Sequence, residues 1–109
     1  MLQTLHRSKT PSGAAYIDRG QGGETLVLIH GVGMRIEAWG PQIERLSKDH
    51  RVIAVDLPGH GVSAPLDARP ELPNFVAWFA RLVDDLGLEA VNVAGHSMGA
   101  LIAAGFAAT

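Results

Sequence analysis

Residues 95–99 read Gly-His-Ser-Met-Gly, which has the form G-x-S-x-G and places Ser97 where it could act as a nucleophile. The apolar segment Ala90–Ala94 before it predicts a strand, and the nearly apolar run Met98–Ala108 after it predicts a buried helix. A serine on so sharp a turn has a strained backbone and crowded neighbours two positions away, which explains the two glycines. The pattern predicts covalent catalysis by Ser97; the alternative is a packing turn in which small residues let helix and sheet approach.

Two other features of the chain could suggest chemistry. His96 adjoins Ser97, but adjacent side chains on a turn point in different directions, so we interpret His96 as a spacer or pocket wall and not as the base. Residues 59–64 fit G-x-G-x-x-A, yet that dinucleotide fingerprint must open a helix, and here Pro58 precedes it and Pro65 follows it. The chain has no cysteine, so thiolate chemistry is excluded. We predict no cofactor and no metal.

The composition restricts the partners. With 47% hydrophobic and 18% charged residues in 109, the chain is typical of one globular domain. A net charge of -2 without runs of like charge argues against nucleic acid or an anionic membrane as partner. The first ten residues lack a secretory apolar stretch, and the longest nearly apolar run is too short to span a bilayer. These features predict a cytoplasmic protein without a nucleic-acid or membrane partner and give no oligomeric state.

Alternating strands and helices must position these residues. Apolar runs and turn residues predict strands over Thr4–Ser8, Ala14–Asp18, Leu26–Ile29, Arg51–Val55 and Ala90–Ala94, with a turn at residues 10–13. Helical spacing predicts helices over Trp39–Leu46, Phe75–Leu86 (with Asn74 as N-cap) and Met98–Ala108. This order predicts an α/β fold, a mostly parallel sheet with helices on both faces. Residues 1–23 form a predicted hairpin and residues 24–109 the strand-helix core.

Three segments that each follow a predicted strand resemble a known family. They are residues 30–33 (His-Gly-Val-Gly), residues 56–63 (Asp-Leu-Pro-Gly-His-Gly-Val-Ser) and residues 95–99. In this order they resemble the first half of an α/β-hydrolase-fold enzyme. The resemblance covers essentially the whole chain and is weakest over residues 1–23.

The resemblance implies roles for individual residues. Ser97 matches the nucleophile, and the backbone N–H groups of Val32 and Met98 match the two donors of an oxyanion hole, which stabilise the charge of a tetrahedral intermediate. It also implies that His30 supports the oxyanion loop and that His60 braces the loop after the next strand. Supporting positions in the matched motifs are His30, Gly31, Gly33, Gly95 and Gly99.

A serine hydrolase also needs a histidine base and a carboxylate. In the family that this chain resembles, both follow the serine, and no Asp, Glu or His follows Ser97 here. We do not assign Asp56 or His30 to these roles. We expect the chain to be an incomplete N-terminal half of the domain, inactive alone because it lacks the histidine and the acid. We also expect it to aggregate or to be molten alone, because one apolar edge of Ala90–Ala94 is unpaired.

Three functions remain open. The first is hydrolysis of an ester, thioester or lactone of a small organic acid through an acyl-enzyme at Ser97. The second is carbon-carbon bond hydrolysis or perhydrolase activity with the same serine turn. The third is a non-catalytic half-fold that needs a partner chain. Dehalogenases and epoxide hydrolases of this fold are disfavoured, because they have Asp at the position of Ser97.

Overall fold

The computed structural model describes residues 5–109. The strands are β1 Ser8–Lys9, β2 Ala15–Arg19, β3 Thr25–Ile29, β4 Arg51–Val55 and β5 Asn92–Gly95. The α-helices are α1 Gly40–Leu46, α2 Leu72–Asp85 and α3 Met98–Ala107, and a 3-10 helix, Ile36–Trp39, leads into α1. The predicted α/β class is confirmed. None of the helices in this part of the chain has the length and apolar character that crossing a bilayer requires.

The sheet has the order β1-β2-β4-β3-β5. Strands β1, β2 and β4 pair antiparallel, whereas β3 pairs parallel with both β4 and β5. The register sets Ile29 opposite Val55 on one side and Gly95 on the other. The three parallel strands β3, β4 and β5 therefore end at the same edge of the sheet. The three loops that carry the motifs begin side by side at this edge.

Apolar residues cover both faces of the sheet. On one face, side chains from β3 and β4 such as Val27 and Ile53 pack with the buried Phe79 of α2 and Ile102 of α3. On the other face, the intervening side chains of the same strands pack with the 3-10 helix and with Ile43 of α1. Strands buried on both faces explain why their sequences are continuously apolar. The predicted placement of helices on both faces is confirmed.

The N-terminal hairpin differs from the prediction. Strand β1 is limited to Ser8–Lys9, and Thr4 of the predicted strand lies outside the described residues. Leu5 is not in a strand, because its N–H donates 2.8 Å to the Glu37 carboxylate instead of to a neighbouring strand. The turn is as predicted: the N–H of Gly13, at φ +89°, donates to the carbonyl of Thr10.

Helices α1 and α2 also begin at other residues than predicted. Trp39 belongs to the 3-10 helix, and α1 begins at Gly40. The predicted N-cap Asn74 lies inside α2, which begins at Leu72 with Pro73 in its first turn, where a missing N–H costs no helical hydrogen bond. The side-chain amide of Asn74 donates 2.9 Å to the carbonyl of Arg69 instead of capping the helix.

Strand β5 and helix α3 are less buried than their sequences predicted. β5 begins at Asn92 and, within residues 5–109, pairs only with β3, so the expected unpaired edge is observed, and Asn92 and Ala94 are exposed. Helix α3 buries Gly99 and Ile102, but Leu101 is 56% exposed. In the described part of the chain no element lies over the outer side of this helix, and the prediction of a buried helix is wrong for that side.

Candidate active site

Ser97 lies between the end of β5 and the start of α3 in a strained backbone conformation. Its φ is 56° and its ψ −116°, and within residues 5–109 no other non-glycine residue has a positive φ. Such a conformation costs about 1–3 kcal/mol and persists only where the surroundings impose it. Here the N–H of His96 donates 3.0 Å to the carbonyl of Ile29, and the carbonyl of Ser97 accepts from the N–H of Ala100 at 2.9 Å. The Ser97 side chain is exposed.

The two glycines of the motif fill a site with no room for a side chain. A Cβ on Gly95 would lie 2.2 Å from the carbonyl carbon and oxygen of Gly99. A Cβ on Gly99 would lie 2.1 Å from the carbonyl oxygen of Ile29 in β3. The first turn of α3 therefore packs backbone against backbone on both β5 and β3, and this contact forces the chain to turn sharply at Ser97.

The loop after β3 lies against the serine turn. A Cβ on Gly31 would lie 3.2 Å from the Cβ of Ser97, so the next residue, Val32, leaves the sheet beside the serine. Val32 is 67% exposed. Within residues 5–109, neither the N–H of Val32 nor that of Met98 finds a backbone or side-chain acceptor. In the described chain, two amide donors without a partner therefore belong to the residue after Gly31, which contacts Ser97, and to the residue after Ser97 itself.

His30 is fully buried between two loops. Its Nε2 accepts the N–H of Leu57 at 3.0 Å, which requires the proton to be on Nδ1, and Nδ1 donates 2.7 Å to the carbonyl of Gly31. Burial lowers the pKa of His30 below its usual value, so the ring stays neutral. Both nitrogens are occupied, and none is left to accept a proton from Ser97.

His60 holds the same loop at a second point. Its Nε2 accepts the N–H of Gly33 at 2.9 Å, and its Nδ1, which then carries the proton, donates 3.0 Å to the carbonyl of Pro58. Gly33 has φ +81°, a conformation that favours glycine. The rings of His60 and His30 lie 5.3 Å apart. The loop after β4 thus supports the loop that carries the N–H of Val32.

Asp56 is the centre of a buried charge cluster that the sequence did not reveal. Its carboxylate accepts from the Nε of Arg7 at 2.6 Å, the N–H of Ile36 at 2.9 Å and the N–H of Val62 at 3.1 Å. The same guanidinium donates 2.7 Å to the carboxylate of Glu37. A fourth contact, from the Nη2 of Arg7 at 3.3 Å, occupies the remaining acceptor site of the Asp56 carboxylate, so none is left to orient a histidine. The one signal in the sequence was the position of Asp56 directly after a buried strand, because a buried carboxylate has to be paired with a cation or with hydrogen-bond donors.

The acid cluster predicts a dependence of stability on pH. The pKa of Glu37 is lowered from 4.5 to about 2, chiefly by the hydrogen bond from Arg7. A carboxylate with a lowered pKa stabilises the fold above its unfolded pKa and loses that contribution as pH falls through its folded pKa. We therefore expect the free energy of unfolding to fall between about pH 4.5 and pH 2, and Glu37→Gln to remove part of this fall.

Urea unfolding at a series of pH values measures this effect. Glu44→Gln, on the exposed side of α1, removes one charge without a buried partner and serves as the control. If Glu37→Gln retains the full acid-dependent loss of stability, Glu37 does not carry it.

A small cavity opens beside the serine turn. It has a volume of about 190 Å³ and is lined by His30, Met34, Ala38, Trp39, Gln42 and His96. This volume accommodates a group of about six non-hydrogen atoms. His96, interpreted from the sequence as a spacer or pocket wall, lines it, as does Trp39. The Nε1 of Trp39 is buried and has no partner within residues 5–109.

A serine on a strained turn, with two amide donors in the adjoining residues, at the carboxyl edge of the parallel strands of a mixed sheet, is the arrangement of a hydrolase of the α/β class. A model of the alpha/beta hydrolase fold matches residues 24–109, and the chain belongs to this family.

Relatives and solved structures agree with this family. The chain is 53% identical over 96 residues to the (E)-2-((N-methylformamido)methylene)succinate hydrolase of Acinetobacter baylyi, covering 88% of this chain and 36% of the relative. It is 37% identical over 97 residues to a 2-hydroxy-6-oxononadienedioate/2-hydroxy-6-oxononatrienedioate hydrolase of Pseudomonas putida, covering 84% and 34%. A thermophilic esterase from Thermogutta terrifontis superimposes with a TM-score of 0.82 at 29% identity, covering 95% of this chain and 41% of that one. The chain spans about a third of the length of both curated relatives.

Proposed function

We propose that Ser97 is the nucleophile of a serine hydrolase that acts through an acyl-enzyme. The observation that carries this proposal is the strained turn at Ser97, where φ is 56°. Gly95 and Gly99 impose it by backbone contacts that admit no side chain. Backbone strain of this kind is found mainly at functional sites, and here it places an exposed hydroxyl where that hydroxyl could react.

The proposed reaction begins when the Oγ of Ser97 attacks the substrate carbonyl carbon and its proton passes to a general base. The carbonyl oxygen becomes an oxyanion, which accepts hydrogen bonds from the N–H groups of Val32 and Met98. Each such donor typically stabilises the transition state by about 3–4 kcal/mol. As the intermediate collapses, the base gives this proton to the leaving oxygen, sulfur or nitrogen, the bond from that atom to the carbonyl carbon breaks, and Ser97 is left acylated. Water then releases the acid and restores the hydroxyl.

The substrate class that we propose is an ester, thioester, lactone or amide of a small, carboxylate-bearing acid. Two relatives are named for small unsaturated dicarboxylic acids, and one of them is 53% identical to this chain. The cavity beside Ser97, about 190 Å³ in volume, suits a small group. The N–H of Trp39 and the amide of Gln42, both in residues that line it, are chemically suited to a carbonyl or carboxylate oxygen.

Carbon-carbon bond hydrolysis is the second candidate. The relative from Pseudomonas putida is named for 2-hydroxy-6-oxononadienedioate, a keto acid in which the bond next to the keto group can be cleaved after attack at the carbonyl. In that reaction the leaving group is a carbanion-like dienolate, which must receive a proton. The serine turn and amide donors described above would serve both reactions, so the leaving group distinguishes them.

Covalent labelling tests the nucleophile directly. The natural protein, expressed from its complete reading frame, is treated with a fluorophosphonate, which forms an Oγ–P bond and loses fluoride. We expect mass spectrometry to find the adduct on Ser97 alone. A labelled residue elsewhere, together with an unmodified Ser97 in active protein, would contradict the proposal. Turnover of (E)-2-((N-methylformamido)methylene)succinate, 2-hydroxy-6-oxononadienedioate and p-nitrophenyl esters then separates the two candidate reactions.

A further inference from the structure

We propose that Arg7 is a positioning residue for the loop that carries the N–H of Val32, an inference that rests on the proposed function. The guanidinium lies under this loop with its side chain only 5% exposed. Its Nε donates to Asp56 at 2.6 Å, and its Nη1 donates to Glu37 at 2.7 Å. A planar guanidinium can hold two carboxylates at a fixed angle, which an ammonium group cannot do.

The two carboxylates fix the far end of the loop. Asp56 accepts the N–H of Ile36 at 2.9 Å, and Glu37 is the next residue in the chain. The near end is fixed by the buried His30, and the middle by the bond from Gly33 to His60. The N–H of Val32 lies between these fixed points and has no partner of its own in the described chain. Its direction therefore depends on both ends of the loop.

Charge explains why Arg7 is needed for this arrangement. Asp56 is fully buried and Glu37 nearly so, and without a cation between them two buried carboxylates would repel each other. Arg35, whose half-exposed side chain contacts Glu37 at 3.1 Å, has no contact with Asp56 and does not replace this bridge. Asp56 and Glu37 would then move apart, and Asp56 would no longer hold the N–H of Ile36 in its present place. We infer that loss of the planar bridge moves the donor at Val32 before it unfolds the sheet.

A purely structural ion pair is the alternative, and the chain contains one for comparison. Arg51, at the start of β4, makes a two-point contact with Asp18 of β2, with distances of 3.1 and 2.7 Å. Arg51 begins β4, so this pair lies at the opposite end of that strand from the site, and both side chains are about a third exposed. Arg51→Lys is therefore the matched control for Arg7→Lys.

The experiment compares both variants in the natural protein expressed from its complete reading frame. Active sites are counted by fluorophosphonate titration, and the acylation rate is measured per titrated site. We expect Arg7→Lys to lower this rate about tenfold or more with little change in KM. A displaced N–H donor stabilises the transition state less, whereas it has little effect on substrate binding. Arg51→Lys should leave the rate per site unchanged.

A structural role alone would lower the number of active sites and keep the rate of each. An unchanged rate per site in Arg7→Lys would therefore overturn the inference. If Arg7→Lys does not fold, Glu37→Ala decides, because it keeps the pair of Arg7 with Asp56 and removes the other arm of the bridge; a rate per site equal to that of the wild type would again overturn the inference. Failure of the proposed function is distinct: then Ser97→Ala would still be labelled.

Discussion

Alanine in place of Ser97 is expected to lower kcat by about five to six orders of magnitude, as removal of a serine nucleophile does in other hydrolases. The oxyanion donors at Val32 and Met98 and the cavity remain in this variant, so a small residual rate above that in water is expected. The expected effect is on kcat far more than on KM, because alanine removes a bond that forms only during the reaction.

The fold should survive this change. Alanine has the same Cβ as serine, so it neither adds to nor relieves the strain at φ 56°. The side chain of Ser97 makes no hydrogen bond within the described residues, and its hydroxyl is exposed. Thermal or urea unfolding of Ser97→Ala should therefore match that of the wild type, which separates a lost nucleophile from a lost fold.

Steady-state turnover and fluorophosphonate labelling are the two measurements. Ser47→Ala is the matched control, since Ser47 is a half-buried serine at the end of α1 whose hydroxyl has only a long contact of 3.4 Å to the carbonyl of Glu44. It should retain full turnover and full labelling. Retained turnover in Ser97→Ala at more than about a hundredth of the wild-type kcat would show that another group performs the attack.

The site was predictable where its chemistry is contiguous in sequence. Five consecutive residues specify the serine turn, and the apolar run Arg51–Val55 predicted β4 at its observed bounds. Crowding between Gly95 and Gly99 is also local, because a strand and a helix joined by so short a turn must touch. Local sequence therefore specified the turn at Ser97 and the strands that lead into this edge of the sheet.

The charge cluster was not predictable, because ion pairs leave no periodic pattern. Arg7 is separated from Glu37 by 30 residues and from Asp56 by 49. Nothing in the spacing of three polar residues indicates that the fold brings them together. The resemblance to the family suggested that His60 supports a loop, but its bond to the N–H of Gly33 depends on two loops meeting, and only the structure shows it.

The apolar sequence of β5 predicted a strand but could not show how far its side chains are buried. Four apolar residues in Ala90–Ala94 indicate a strand that is stable when buried, whereas the number of neighbouring strands is a property of the sheet. In the described residues β5 pairs with β3 alone, and Asn92 and Ala94 are exposed. Helix α3 behaves in the same way, since Leu101 projects from the side that no described element covers. The hydrophobicity of a segment indicates that burial is favourable, but it does not show which element covers the segment.

Gly99→Ala is expected to destabilise the fold by about 3 kcal/mol or more, because the atoms that the added Cβ would overlap belong to the backbone and cannot move aside easily. The added Cβ would lie 2.1 Å from the carbonyl oxygen of Ile29 and 2.8 Å from that of His30. Both obstacles are backbone atoms at the end of β3, which pairs with strands on both sides. To make room, α3 must move away from the sheet, and the turn at Ser97 moves with it.

Gly105→Ala in the same helix provides a stringent control. Its Cβ would lie 2.6 Å from the Cγ2 of Val76, the end of a side chain that can shift, and not from backbone. Alanine also favours a helix over glycine by up to about 1 kcal/mol, so we expect this variant to lose clearly less stability than Gly99→Ala. Urea unfolding of both variants measures the difference.

The same pair of variants relates the packing of α3 to the proposed chemistry. If backbone contact at Gly99 imposes the conformation of Ser97, Gly99→Ala should also lower the rate of fluorophosphonate labelling in the fraction that remains folded. Gly105→Ala should not, although it lies on the same helix. A Gly99→Ala protein as stable as the wild type and labelled at the same rate would mean that the turn at Ser97 holds its strained conformation without this contact. In that case the strain would have to be imposed by the hydrogen bonds of His96 and Ala100 alone.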